Sequence, residues 1–485
     1  MTVPVDVRLD PRNKVALSVL LVATFVVFLN ETILGVALPQ IMANLNITAS
    51  TGQWLSTSYM LVMAIVIPIT GFLLQRFSMR SMFAFAMGMF SIGTLLGALA
   101  PDFGLLLFAR IVQASGTAIM MPLLMTNLMV MVPEAIRGKI MGTISIVLSV
   151  APAIGPAVSG LVLSILNWRW LFWLVLPIAL VTLVLGTIRI STMGEKKRVP
   201  VDVLSIILSA LGFSGLVYGL SSFAEAARGT SLVSPYLPLV AGAVLFGLFV
   251  WRQLSLQKTD RALLDLRTFR ASSFSIAIIL MVIFMMSLFG VSIVMPIYAQ
   301  DVLGVTALTT GLFLLPGGLA MGLLGPLVGK LYDRWGAPRL VLPGTLVVVM
   351  SMWSLTLFDQ FTWPVWILIT NATLSMGMAL IFTPLFTVSM SSVPAQLYSH
   401  ASATIGSVQQ LAGAAGTALF VTVLTAVAYS SSSATSGTNA SVSQLAAGMH
   451  AAFLCGAIIV TLAIIPAVML RGPATRDEMD LELQP

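Results

Sequence analysis

The sequence predicts an all-α polytopic membrane protein of fourteen transmembrane helices, arranged as two six-helix bundles plus two inserted helices. Composition, the spacing of apolar runs and the placement of basic residues carry that expectation. Of 485 residues, 58% are apolar and only 8% are charged, against about a quarter charged in an ordinary soluble domain. Mean hydropathy is +1.03. A spanning helix takes roughly 20 apolar residues, so the apolar content suffices for about a dozen spans or slightly more. A soluble enzyme, a nucleic-acid reader and a disordered chain are excluded.

The apolar runs fall at 15–39, 53–74, 81–100, 104–131, 139–165, 169–189, 202–222, 235–254, 273–299, 307–330, 339–358, 364–391, 401–429 and 449–470. The first is too long for the apolar core of a cleavable signal and is expected to be the first span. With the N-terminus in the cytoplasm, 21 of the 24 Lys and Arg lie on the cytoplasmic side. Arg169 and Arg228 lie outside, and Arg110 lies within the fourth span. Basic loops stay inside, so both termini are expected in the cytoplasm. The net charge of +7 is then a topology signal rather than a nucleic-acid surface. The expected division is a cytoplasmic tail 1–14, a bundle 15–190, two inserted helices with basic linkers 191–270, a bundle 271–470 and a cytoplasmic tail 471–485. The Ser-rich stretch 430–447, with the sequon Asn439-Ala440-Ser441, reads as an external flexible loop, and the acidic stretch 477–482 as a solvated end.

A repeat supports the two bundles. Pro68, Gly71, Leu73 and Arg76 recur as Pro326, Gly329, Leu331 and Arg334, each 258 residues later, and Pro39 lies 257 before Pro296. That offset equals eight spans, which leaves 202–222 and 235–254 as the insertion. Parallel halves with a site at their interface are a known membrane-transport plan.

Two ionisable acid/base residues sit well inside the spans, Glu31 and Arg110. Charged groups there are costly and are functional candidates by default. At 1.5 Å per residue, Glu31 is about 12 Å and Arg110 about 9 Å from the outer ends of their spans, so the two meet at similar depth if the first and fourth spans are neighbours. Burial favours a neutral acid and a nearby guanidinium favours the carboxylate. Relative movement of the two is therefore sufficient to take up or release a proton, although a static pair that fixes packing is the simpler alternative. Asn30 adjoins Glu31, and Gln113 and Thr117 share the Arg110 face at i+3 and i+7. Asn371, Gln409 and Gln410 offer uncharged hydrogen-bonding groups in the other half; an interhelical bond is an equal alternative for Asn371. The 28 Met and 25 Phe suit an adaptable cavity. Tyr59 and Tyr298 lie near outer ends and are expected in the aromatic belt. One cysteine, Cys455, and two separated histidines, His400 and His450, support no metal site. No G-x-x-x-x-G-K-[ST] phosphate loop occurs, and no cofactor is expected.

Several motifs together resemble a known family. Gly71-Phe-Leu-Leu-Gln-Arg-Phe-Ser-Met-Arg80 and Gly329-Lys-Leu-Tyr-Asp-Arg-Trp-Gly336 resemble the G-x-L-x-D-R-x-G-R-R loop of the major facilitator superfamily. The second copy is nearly complete; the first has Gln75 in place of the acid. Arg110-Ile-Val-Gln113-Ala-Ser-Gly116 is similar to the family's R-x-x-Q-G-x-G, and Gly155-Pro156-Ala-Val-Ser159-Gly160 resembles its exporter-associated G-P-x-x-G-G. Pro156 removes a helix hydrogen bond, and small residues such as Gly155 and Gly160 allow close helix approach. Leu29-Asn30-Glu31-Thr32-Ile33-Leu34-Gly35-Val36-Ala37-Leu38-Pro39 is similar to the L-D-x-T-I-V-N-V-A-L-P of fourteen-helix drug:proton antiporters, with the acid moved one place, to Glu31, and Asn30 where Asp is usual. This variant looks most like the lincomycin-resistance branch. Trp168-Arg169-Trp170-Leu-Phe172, Leu264-Asp265-Leu266-Arg267 and Ser399-His400-Ala401-Ser402 extend the resemblance over nearly the whole chain.

The resemblance implies the major facilitator fold, a bacterial plasma-membrane location and export of small lipophilic compounds by alternating access, driven by the proton gradient. It implies Glu31 as the coupling carboxylate with Arg110 as its modulator. Gly71, Arg76, Arg80, Gly155, Pro156, Gly160, Gly329, Asp333 and Arg334 are then conformational-motif positions, with a cytoplasmic latch on Asp333 and Arg334. His400, at a cytoplasmic helix start, is expected to be a cap or loop contact. Lipid, protons and small lipophilic substrates, including lincosamide-like compounds, are the expected partners of a monomer. The alternatives are a dedicated exporter of an endogenous lipid, antibiotic or metabolite, and, more remotely, a non-transporting membrane sensor or membrane enzyme.

Overall fold

A computed structural model describes residues 10–47, 49–133, 136–190, 202–227, 234–259, 261–430 and 441–470. The basic run 196–198, Arg228, the sequon at Asn439 and the acidic stretch 477–482 lie outside the described residues. The long helices are α1 (Pro11–Leu45), α2 (Ala49–Arg76), α3 (Met79–Leu99), α4 (Phe103–Met131), α5 (Arg137–Leu163), α6 (Arg169–Arg189), α7 (Val203–Ala227), α8 (Tyr236–Leu256), α9 (Ser272–Ile297), α10 (Ala307–Trp335), α11 (Pro338–Leu355), α12 (Val365–Ser391), α13 (Tyr398–Ser430) and α14 (Val442–Leu462), followed by the short α15 (Ile464–Met469). Among the described residues, thirteen helical stretches are long and apolar enough to cross a membrane, one of them combining α14 and α15. The remaining long helix, α5, has 27 residues.

With no water in the bilayer core, the backbone must satisfy its own hydrogen bonds, and helices do this within one segment. Side-chain oxygens close the helix starts. Asp102 accepts from the Leu105 N–H at 2.9 Å, and Ser441 and Gln444 form a reciprocal capping box on α14. Positive-φ residues close two helix ends, the left-handed Asn46 (φ 52°) after α1 and Gly336 (φ 74°) after α10. Two boundaries differ from the sequence expectation. α1 continues six residues beyond Pro39, so Glu31 lies about 21 Å from the outer helix end rather than 12 Å. α14 begins at Val442, seven residues before the expected start, because Ser441 supplies a cap that hydropathy does not register.

Packing follows the offset of eight helices. α1 lies on α5, α2 on α4, and α3 on both α4 and α6; likewise α9 lies on α13, α10 on α12, and α11 on both α12 and α14. Two long seams join these groups, α5 along α10 and α2 along α13. Four glycines make the α5–α10 seam. Gly138 and Gly142 on α5 face Gly325 and Gly329 on α10, backbone against backbone. Each pair is a G-x-x-x-G, the spacing that puts two glycines on one helix face. The α2–α13 seam is closed at Gly71, where an added Cβ would stand 3.2 Å from Ala403, His400 and the Ser399 carbonyl. α7 packs on both α2 and α13, and α8 packs on α7.

Candidate functional site

The site is centred on Arg110, two turns into α4. α4 is held against α3 by glycines. An added Cβ at Gly93 would stand 2.6 Å from the Gln113 nitrogen, and one at Gly116 would stand 2.8 Å from the Phe90 nitrogen. This contact fixes the rotation of α4. Arg110 is 2% exposed. One terminal nitrogen (Nη1) donates to Asn30 Oδ1 at 3.2 Å and to Gln113 Oε1 at 3.0 Å. The guanidinium carbon lies 4.0 Å from the centroid of the Tyr59 ring. Gln113 is oriented by donating to Thr94 Oγ1 at 2.8 Å. Tyr59 is oriented by donating to Thr117 Oγ1 at 2.7 Å. Helices α1, α2, α3 and α4 thus each contribute to one buried cluster, and Arg110 Nε has no hydrogen-bond partner.

No ion pair within 4.0 Å joins Glu31 to Arg110. Asn30, buried on α1, takes the guanidinium, and Glu31 is half-buried one residue further on. One residue turns a helix by about 100°, which carries the Glu31 carboxyl off the contact face. Arg110, Tyr59 and Glu31 nevertheless interact electrostatically. Gly155 brings α5 against α1 one position beyond Glu31: an added Cβ there would overlap the Thr32 hydroxyl. A buried cation is costly unless its donors are met. Two amide oxygens on Nη1 and an aromatic face supply part of that here, without an anion in contact, and leave Nε unpartnered. The cluster therefore holds a fixed positive charge, with an ionisable carboxyl close by but not engaged.

Other expected positions are spread over the molecule. Asn371 donates to the Leu314 carbonyl at 3.1 Å, an interhelical bond between α12 and α10. Gln409 and Gln410 are half-buried on α13. No hydrogen bond joins these three to the Arg110 cluster. Asp333 closes the cytoplasmic seam: its two oxygens accept from the Gly138 N–H at 2.8 Å and the Lys139 N–H at 2.9 Å. A carboxylate at a helix N-terminus is favourable. In the first motif copy, Gln75 donates instead to the Gln396 carbonyl at 3.2 Å, and the Arg76 guanidinium lies 6.0 Å from the Phe72 ring centroid. Arg80 and Arg334 are exposed.

Three expectations, for Tyr59, Tyr298 and Gly160, are corrected. Tyr59 and Tyr298 are each 1% exposed and are not belt residues; Tyr59 sits under Arg110, and Tyr298 donates to the Asp359 carbonyl at 2.6 Å. His400, in the first turn of α13, is buried against Gly71 in the α2–α13 seam. Gly160 is exposed, with nothing within 4 Å of an added Cβ, so it mediates no close helix approach.

Sequence reasoning missed Thr94, the role of Tyr59 and three of the four seam glycines, Gly138, Gly142 and Gly325. The G-x-x-x-G spacing at 138–142 and 325–329 was an available signal. Nothing local distinguishes Tyr59 from a belt tyrosine. Among the described residues, no group of three or more His, Cys, Asp or Glu is placed to hold a metal. A cavity of about 660 Å³ lies elsewhere, between α11 and α12, lined by Trp363, Trp366, Phe358 and the hydroxyls of Ser351 and Thr373 among others.

The sequence pattern of the Major Facilitator Superfamily matches residues 20–417. The chain belongs to the Major Facilitator Superfamily. It is 37% identical over 469 residues to the MFS-type transporter YcnB of Bacillus subtilis strain 168, covering 96% of this chain and 97% of that protein. It is 38% identical over 455 residues to the lincomycin resistance protein LmrB of the same organism, covering 93% and 94%. The proton:xylose symporter XylE superposes with a TM-score of 0.66 at 16% identity, covering 97% of this chain and 99% of that one, which shows the shared fold. As a member of the superfamily the chain is a multi-span plasma-membrane transporter, not an enzyme.

Proposed function

We propose that this chain is a proton-coupled multidrug exporter, acting as a monomer, that exchanges inward protons for outward lipophilic drugs. The observation that carries the proposal is the Arg110 cluster, a buried cation held by neutral oxygens with Glu31 one helix position away from the contact. Residues 15–190 and 271–470 act as the two moving halves, and 191–270 carries the inserted helices. Glu31 is the coupling carboxyl. When the halves rock, its water access and its distance from Arg110 change together, and either change alters its hold on a proton. Asn30 and Gln113 keep Arg110 in place throughout, and Asn371, Gln409 and Gln410 offer polar contacts to cargo from the opposite half. The lincomycin-resistance relatives support lincosamide-like compounds and other lipophilic drugs as cargo.

The cytoplasmic seam is the gate. Asp333 on the α5 N-terminus and the four glycines hold it shut, which corresponds to an outward-facing state. Gly71, Arg76, Gly329 and Arg334 lie at the cytoplasmic ends of α2 and α10, which must separate from α13 and α5 when it opens, and Gly155 with Pro156 sets how α5 pivots on α1.

The test is uptake of a lipophilic dye and of lincomycin into inverted membrane vesicles carrying an imposed pH gradient, acid inside. Accumulation that a protonophore abolishes is expected. Accumulation indifferent to the protonophore would overturn proton coupling.

A further inference from the structure

The two seams between the helix groups are equivalent on the inside and different on the outside. α4 packs on α2 and reaches α13; its counterpart α12 packs on α10 and reaches α5. On the outer face of α2 and α13 lies α7, which has no counterpart. Its Phe213 and Val217 are buried with Ala64 and Phe72 of α2 and Ala403 of α13, and Leu411 and Ala414 of α13 pack against the same cluster. Towards the outer end, Tyr218 stacks on Trp54 of α2, with ring centroids 6.3 Å apart. α7 therefore covers the α2–α13 seam from its cytoplasmic end to near its outer end. α8 braces it from behind through close contacts at Gly212, Gly215 and Gly219.

Among the described residues, neither α7 nor α8 packs on α5 or α10. Glycine contacts between α5 and α10 run from Gly138–Gly329 up to Gly322 against Val150, about halfway along α5. Nearer the outer ends the same two helix faces present open glycines. Gly160 on α5 and Gly311 on α10 are exposed, with nothing within 4 Å of an added Cβ. Their neighbours Leu161 and Leu312 are 67% and 55% exposed.

We propose that lipophilic cargo passes between the interior and the outer leaflet through the outer half of the α5–α10 seam, while α7 closes the α2–α13 seam to lipid. The inserted hairpin thereby makes a two-sided crevice one-sided. The proposal rests on the exporter reading above and assigns the path that cargo takes.

The test uses the full chain with Cys455→Ala, reconstituted in proteoliposomes. Gly160→Cys places a thiol at the α5–α10 opening. Leu237→Cys places one on the lipid face of α8, where Leu237 is 67% exposed. Each is coupled to pyrene-maleimide after folding, and proton-driven movement of a membrane-partitioning dye is compared before and after coupling. Coupling at position 160 is expected to slow the dye several-fold, and coupling at 237 to leave it unchanged. Undiminished movement after complete coupling at 160 would overturn the assigned path, as would an equal loss from coupling at 237. Uncoupled protein that moves no dye would instead remove the exporter reading, and the path with it.

Discussion

Arg110 is buried, positively charged and held by neutral partners on α1, α2 and its own helix. The motif around it marked the right helix face, since the i+3 spacing to Gln113 is a property of any α-helix. What could not be read was which residue of α1 meets it. Asn30 and Glu31 are adjacent in sequence, and only the rotation of α1, set where Thr32 meets Gly155, decides between them. Tyr59 was illegible for the same reason, because its position near a helix start is shared by belt tyrosines. Its two roles are separable. Tyr59→Phe keeps the ring under Arg110 and loses the bond to Thr117, an expected cost of about 0.5–1.5 kcal/mol. Tyr59→Leu also removes the cation–π contact, worth about 2 kcal/mol when desolvated. Thermal melts in detergent, read beside dye export by cells, should rank wild type above Phe and Phe above Leu. A leucine variant as stable and active as the phenylalanine variant would show that the ring does not hold Arg110.

At the scale of elements, hydropathy and charge alternation were enough to find every long helix, because a spanning helix must be apolar for its whole length. Ends were less legible. The Ser441–Gln444 box extends α14 outward, and the left-handed Asn46 lets α1 run past Pro39. The inserted pair α7–α8 had a visible existence and an invisible position, since nothing in an all-apolar helix names the seam it covers. Its cytoplasmic end is tied by polar contacts. Arg252 donates two hydrogen bonds of 2.8 Å to Asp202, and Ser205 donates to the same carboxylate. Buried Gln253 accepts from the Leu263 and Leu264 N–H groups. The Arg252 hydrogen bond holds the Asp202 carboxyl below the usual carboxylate range. A depressed folded value means the stabilisation is fully present above the unfolded value and is lost as pH falls through the folded one. Melting curves of wild type and Asp202→Asn are therefore expected to differ by a constant amount at neutral pH and to converge in acid, below the ordinary carboxylate range. A gap that stays the same down to the most acid pH would contradict this.

For the whole molecule, the 258-residue offset and the inside–outside asymmetry of basic residues made the two-fold plan legible before any contact was known. The conformation was not legible, because the same helices must pack in more than one way in a protein that opens to both sides. Here the cytoplasmic ends are joined by Asp333, by glycine pairs and by the Thr126–Ser402 and Ser145–Thr383 hydroxyl contacts, while Gly160 and Gly311 leave the outer parts of the facing α5 and α10 surfaces open. In the proposed cycle, a proton exchanged on Glu31, which is out of contact with Arg110, links the gradient to the motion. The most direct measurement is drug-triggered proton release from purified protein in weakly buffered detergent solution, wild type beside Glu31→Gln, with lincomycin and a lipophilic dye as ligands. Release by wild type that vanishes in Glu31→Gln, with ligand still bound by the variant, is the expected result. Equal release from both proteins would contradict Glu31 as the coupling site.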